Sequence, residues 1–300
     1  VVTKLNLPEK GSVELLKEII AERSKGGNAT FFAKIGDEWT ERVQAFIDAA
    51  GNPEVIKKWD KSLANPTPFL TLYNSPVEGH AHQIVLSAMR EKKLQICPSC
   101  GEDGTPHTLD HYLPKTDFPH FSVIPANLSP MCDICQGHKL TETLDKDDLR
   151  IFIHPYFDQF VANRVLRLVI GKPYESPHSF ELVPMDGLSP DLEALLLRHV
   201  TGLQLQPRFV HFVKEMHGHL VRTVANIRAL DQNVVHQIQS FRKLEAGRGK
   251  NGWRHIYFAS VLKDDDLMEW FVNGKLPKLI DTVPDKEDED EDTERLRSPS

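Results

Sequence analysis

The stretch that decides the reading is CPSCGEDGTPHTLDHYLPKTDFPHFSVIPANLSPMCDICQGHK, Cys97 to Lys139. It opens and closes on a C-x2-C unit, Cys97/Cys100 and Cys132/Cys135, and these are the only four cysteines of the chain. Two such units some thirty residues apart can converge as knuckles around one ion. Four thiolates give Zn2+ a closed tetrahedral shell with no position open for chemistry, so this expected zinc is structural. Between the knuckles stands Leu109-Asp110-His111-Tyr112-Leu113-Pro114-Lys115, an acid beside a histidine on a strand-like segment. Neighbouring strand residues point to opposite faces, so both side chains meet one atom only if the strand ends or bends, as Pro114 would allow.

Working outward, residues 1 to about 92 read as helical. Ser12 is placed to cap a helix through Leu15, Leu16, Ile19 and Ile20. Asp37–Ala50 puts Trp39, Val43, Phe46 and Ile47 on one face, with Gly51 as a stop. Asn52-Pro53 restarts a short helix through Trp59, Pro66 and Pro68 break the chain into a loop, and His80–Lys93 has helical spacing. Within the decisive stretch, Thr108–Tyr112 and Phe121–Ile124 are the candidate strands. Beyond Asp148, Ile151–Phe157 is strand-like, Val165–Ile170 and Phe180–Val183 suggest a hairpin, and helical patterns fill Pro190–Leu244 and Lys250–Gly274.

Charge offers no support for a nucleic-acid partner. The net charge is −7, but nine acids lie between Asp281 and Ser300 against Lys286, Arg295 and Arg297, so the body is near neutral. That tail is expected to be disordered. No apolar run is long enough for a membrane span, and the first residues lack a secretory h-region, so a cytoplasmic protein without a membrane partner is expected.

The order Asp110-His111, then Asn127, then C-x2-C followed by a polar residue and Lys139 resembles the HNH endonuclease superfamily. LDHYLPK with FPHFSVIPANLSPMCDIC is similar to bacterial HNH proteins, several of them in anti-phage defence, and Ile153–Asp158 (IHPYFD) is a weaker likeness. The resemblance covers about 45 residues and implies a zinc-stapled ββα-metal, treble-clef-like core at residues 93–145. That core would lie between a helical region at 1–92 and a mainly helical region at 146–280, giving a mostly α chain with a small α+β core.

The family implies roles by position. His111 matches the general base that activates water, and Asp110 a ligand of one Mg2+ or Mn2+ ion. Asn127 matches the residue that orients the loop and the base, and Lys139 a helix lysine facing phosphate. The residue after the last cysteine is normally Asn or His and is the second metal ligand; here it is Gln136, which keeps the carbonyl oxygen on a longer arm. His138 lies about 200° further around a helix, whereas Lys139 returns to the face of Gln136.

The expected activity is therefore hydrolysis of phosphodiester bonds, with DNA as the expected substrate. Histidine titrates in the right range for a base, and carboxylate and amide oxygens are hard ligands suited to Mg2+. Lys115, Lys139, Arg248 and Lys250 are the candidate phosphate contacts. The segment Arg242, Lys243, Arg248, Lys250 and Arg254 with Trp253 reads equally as a phosphate-and-base-stacking surface or as a solvated helix end. His107 and His120 read as exposed loop histidines, and His154 as structural. A zinc-dependent binding module without catalysis is the rival reading. A nuclease switched on by a partner, such as the ABC/SMC-type ATPase of Septu-type systems, lies between the two.

Overall fold

The computed structural model describes residues 2–277; the expected acidic tail at 281–300 lies outside the described residues. The chain is about half helical, with two small antiparallel sheets. One continuous hydrophobic cluster runs through it, from Val2 and Leu15 to Leu267 and Phe271.

Five helices come first: α1 (Ser12–Glu22), α2 (Ala29–Asp48), α3 (Asp60–Ala64), α4 (Thr67–Asn74) and α5 (Ala81–Glu91). α2 buries Phe32, Ile35, Trp39, Val43 and Phe46, the i, i+3/i+4 stripe that drives an amphipathic helix onto a core. Trp39 satisfies its indole N–H by donating to the His120 carbonyl at 2.7 Å, and its ring stands edge-on to Phe69 at 4.9 Å. The helix ends before Gly51, whose φ of 70° suits a residue without Cβ; a Cβ there would also meet the His154 ring at 2.9 Å.

Three expectations in this region need correction. Ser12 is the first helical residue rather than the cap, and its hydroxyl instead accepts from the Ala126 amide at 3.2 Å. Pro66 and Pro68 start α4 rather than break the chain, because a first-turn proline gives up only an N–H that has no helical partner. Asn52-Pro53 makes a turn, and the short helix begins only after Trp59.

The central unit is β1 (Thr108–His111), β2 (Leu128–Met131) and α6 (Asp133–Lys139). The strands pair antiparallel with Asp110 opposite Ser129 and His111 opposite Leu128. The second strand is thus not Phe121–Ile124. Pro119 and Pro125 flank that segment and begin two short 3-10 turns, Pro119–Phe121 and Pro125–Asn127. Pro130 stays in β2 because a two-stranded sheet leaves each strand an edge where a missing N–H is tolerated. α5 packs across both strands.

Ile151–Phe157 is not a strand either. It is a buried strap whose backbone is met by side chains: Tyr112 donates to the Phe152 carbonyl at 2.7 Å, and the Ile153 amide donates to His199 Nδ1 at 3.2 Å. Arg150 closes the strap through a bidentate pair with Asp158, both contacts at 3.0 Å. The expected hairpin is present as β3 (Leu166–Ile170) and β4 (Phe180–Pro184), with Ile170 opposite Phe180. The rest is helical: α7 (Pro190–Gly202), α8 (Leu205–Ala229), α9 (Val234–Arg248), α10 (Trp253–Val261) and α11 (Asp265–Asn273). α10 packs on β3 and α8 on β4.

Candidate functional site

The four cysteines meet. Their sulfurs all lie within 4.8 Å of one another, with Cys100 and Cys132 at 3.9 Å. A tetrahedral ion with metal–sulfur bonds of about 2.3 Å needs sulfurs about 3.8 Å apart, so the cluster fits zinc with little movement. The first knuckle is shaped by the Gly101 amide donating to the Cys97 carbonyl at 2.8 Å and by the positive φ of Gly101, 77°. The second starts a helix: Cys132 is the cap residue of α6, and its amide points at Cys97 Sγ, 3.4 Å away. Shared protons push Cys97 below and Cys100 above the ordinary thiol value, a conflict that a bound cation removes by deprotonating all four.

Arg208, which no spacing rule singled out, guards this cluster. Its guanidinium donates to Cys135 Sγ at 3.5 Å, Cys100 Sγ at 3.7 Å and the Glu102 carboxylate, over the face of Trp253. Burial opposes its charge, but these sulfurs and Glu102 raise its pKa above the ordinary arginine value. A zinc tetrathiolate carries two net negative charges, and one guanidinium halves them. Trp253 is not free to stack a base: it is buried, and its indole donates to the Cys100 carbonyl at 2.6 Å.

Asp110 and His111 point to opposite sides of β1, as strand alternation requires. Asp110 faces α6. Its Oδ2 lies 3.0 Å from Lys139 Nζ, an ion pair rather than an aligned hydrogen bond, and the Gln136 side chain is near enough to favour its charged form. Gln136 is the side chain after Cys135 that bears on Asp110; His138 has no such effect on it. Burial raises the Asp110 pKa, and Lys139 and Gln136 pull it back. Asp110 is 6% exposed and Lys139 2%. The expected phosphate contact by Lys139 is therefore corrected: its ammonium is sealed between Asp110 and the His111 carbonyl, at 2.8 Å from the latter. Desolvating an ammonium is offset best beside a carboxylate, and that partner is inside the fold.

His111 turns the other way. Its Nε2 is 2.9 Å from the Ser122 carbonyl and its ring stands edge-on to Tyr73 at 4.5 Å. A carbonyl only accepts, so Nε2 carries the proton and Nδ1 keeps a lone pair. Burial pushes the His111 pKa down to about 3, with Lys115 and Lys139 adding to the effect, so the ring is neutral at physiological pH. Asn127 is fully buried and ties the loop together. Its Oδ1 accepts from the Leu113 amide at 2.8 Å, and its Nδ2 donates to the carbonyls of Leu113 and Phe121 at 3.0 and 3.2 Å. It acts on the loop between the strands and touches neither Asp110 nor His111 through these bonds.

Of the other cations, Lys115 is near enough to His111 to bear on its charge; its ammonium lies over Tyr73 and 3.3 Å from Asn74 Oδ1. Arg248 is taken up by Asp103 and Glu245, both at 2.9 Å. Lys250 is exposed and lines a cavity with Arg164, Arg242 and Lys263, whose lining includes no residue of β1, β2 or α6. The expectation for His120 is corrected: it is fully buried, bonded to Ser62 Oγ at 3.0 Å. His107 is exposed and His154 buried, as read. Among the described residues, no helix is long and apolar enough to cross a membrane.

Against this geometry the comparisons with known proteins are sparse. No family model matches the chain, and no solved structure matches it. A stretch of 68 residues is 40% identical to "Protein ea31" of Escherichia phage lambda. The match spans 23% of this chain and 23% of that phage protein, so likeness extends over about a quarter of either.

Proposed function

We propose that this chain is a metal-dependent endonuclease of the HNH type, hydrolysing phosphodiester bonds in DNA. One observation carries the reading. A neutral imidazole with its Nδ1 lone pair unspent and a buried acid seated against Gln136 are set on adjacent residues of a two-strand-and-helix unit whose helix begins in a four-cysteine cluster. Asp110 already holds a cation, the Lys139 ammonium, so the pocket suits positive charge; the Asp110 carboxylate and the Gln136 carbonyl oxygen would hold a divalent ion there in place of that ammonium. Such an ion would supply neutralisation of charge developing on the leaving oxygen.

The chain's own residues do the rest. His111 Nδ1 takes the proton of an attacking water. The Ser122 carbonyl holds the opposite ring nitrogen and fixes the tautomer, and Asn127 keeps the intervening loop in register. A zinc held by the four cysteines would staple the start of α6, and with it Gln136, to the Cys97–Gly101 knuckle.

Supercoiled plasmid incubated with Mg2+ or Mn2+ tests the proposal. His111→Ala should lower cleavage by about 10²-fold or more. Equal cleavage by both forms removes His111 from the role.

One observation favours a second reading. Asp110 and His111 are 6% and 7% exposed, and the acid is already neutralised. This is the arrangement of a zinc-dependent binding module without catalysis, or of a nuclease at rest until a partner opens it. An ABC/SMC-type ATPase is the partner proposed from the resemblance. Full activity of the lone protein counts against the partner; absence of Mn2+ binding that depends on Asp110 counts for the binding module.

A further inference from the structure

A second ligand set lies outside the candidate site, where the end of α1 meets the start of α5. Glu22 is the last residue of α1; His80 caps α5 and His82 lies in its first turn. The Glu22 carboxylate is pre-oriented. Its Oε1 accepts from the Ala81 amide at 2.9 Å, which leaves Oε2 aimed at two imidazoles: His80 Nδ1 at 3.2 Å and His82 Nδ1 at 3.9 Å. One ligand atom from each of the three lies within 4.8 Å of the others.

An independent feature marks this as more than a chance ion pair. The His82 side chain is fully buried, yet neither ring nitrogen has a hydrogen-bond partner. A buried imidazole left so costs free energy that an ordinary helix start would avoid by using another residue. Glu22 and His80 keep 29% of their side-chain surfaces, so the set is open on its outer side. We propose that Glu22, His80 and His82 form a second transition-metal site, taking Zn2+ through two imidazole nitrogens and one carboxylate oxygen with a solvent-facing position left open.

The chemistry selects the ion class. Two nitrogens and one oxygen suit borderline ions such as Zn2+ rather than Mg2+ or Ca2+, which prefer all-oxygen shells. Tetrahedral ligands about 2.0–2.1 Å from an ion are about 3.4 Å apart, so closing the set needs movements of under about an ångström. Arg23 opposes it: this neighbouring guanidinium has Nε and Nη2 buried without partners, and its charge bears on His82. It lowers affinity.

The test uses the full chain with its cysteine-bound zinc retained, equilibrated with free Zn2+ and then analysed for metal per chain. Glu22→Gln keeps an acceptor for the Ala81 amide. His80→Asn places a favoured cap residue at the helix start, so both variants should fold. Each should hold one zinc fewer than the parent and lose a zinc-dependent rise in melting temperature. Equal zinc content in parent and both variants overturns the site and leaves an ordinary ion pair. Cobalt substitution guards against a false positive. The lost equivalent should lack sulfur-to-cobalt charge-transfer absorption; if that absorption is lost instead, the variants have disturbed the cysteine cluster and the proposal falls.

Discussion

Lys139→Ala should be among the most damaging single changes in the central unit. The pair it breaks has its charges 3.0 Å apart, with the two side chains 2% and 8% exposed. Removing one member leaves the Asp110 carboxylate buried and unpaired, which costs about 3–5 kcal/mol. The His111 carbonyl loses its ammonium donor as well, in the same event and so not additively. About 4 kcal/mol is expected in denaturant unfolding with zinc present and magnesium absent, or about 10 °C in melting temperature. Lys139→Met combined with Asp110→Asn removes both charges and should recover most of that loss. Mn2+ should also restore Lys139→Ala in a concentration-dependent way if Asp110 can hold a divalent cation. A cost below about 1 kcal/mol, the scale of an exposed ion pair, would refute the sealed pair. Failure of Mn2+ to stabilise the variant would refute Asp110 as a metal ligand.

The remaining predictions concern the loop, the zinc and pH. Asn127→Leu should cost about 2–3 kcal/mol, because the Leu113 amide and the Leu113 and Phe121 carbonyls lose their partners; urea unfolding measures it, and an unchanged midpoint would count against the loop assignment. A strong chelator should remove zinc and loosen α6, seen as new protease sensitivity around residues 97–139. Arg208→Met should hasten that zinc loss by about 10-fold or more, read from chelation kinetics.

Acid should destabilise the fold before it protonates most carboxylates. Burial depresses His120 to about 3 and His199 to about 4, from an ordinary 6.5. Their contribution is therefore full above about pH 6.5 and is lost as the pH falls toward those folded values, at about 1.4 kcal/mol per histidine per pH unit. Stability that stays flat from about pH 7 to about pH 5 would contradict it.

The cysteine cluster could be read from sequence because metal ligation is a spacing code: four identical ligands in two close pairs leave few alternatives. Asp110 and His111 were placed by the same frame, and strand alternation sent them to opposite sides. The hairpin at residues 166–184 was visible as two short apolar runs separated by a stretch holding Gly171, Pro173 and Pro177. β2 was missed for the converse reason, since Pro130 disguises a strand that survives as an edge. Lys139 was misread in kind, because one lysine at one helix position can face solvent or a buried acid, and only packing decides which. Trp253 and His120 were read at the surface, yet both are buried by partners distant in sequence, among them the Cys100 carbonyl and Ser62. Arg208 left no local mark, because the sulfurs and the carboxylate it binds lie more than seventy residues away.

The loop carrying Cys97 and Cys100 is moored from across the chain. The Thr3 amide binds the Pro98 carbonyl, His199 the Ser99 carbonyl, and Trp253 the carbonyls of Cys100 and Gly101. The 39 residues from Cys97 to Cys135 therefore do not make a portable cassette. Cut out alone, they would leave four successive carbonyls facing water and thiolates without their guanidinium. Grafting this module into another scaffold would require importing the first residues, the His199 helix and the Trp253 helix with it.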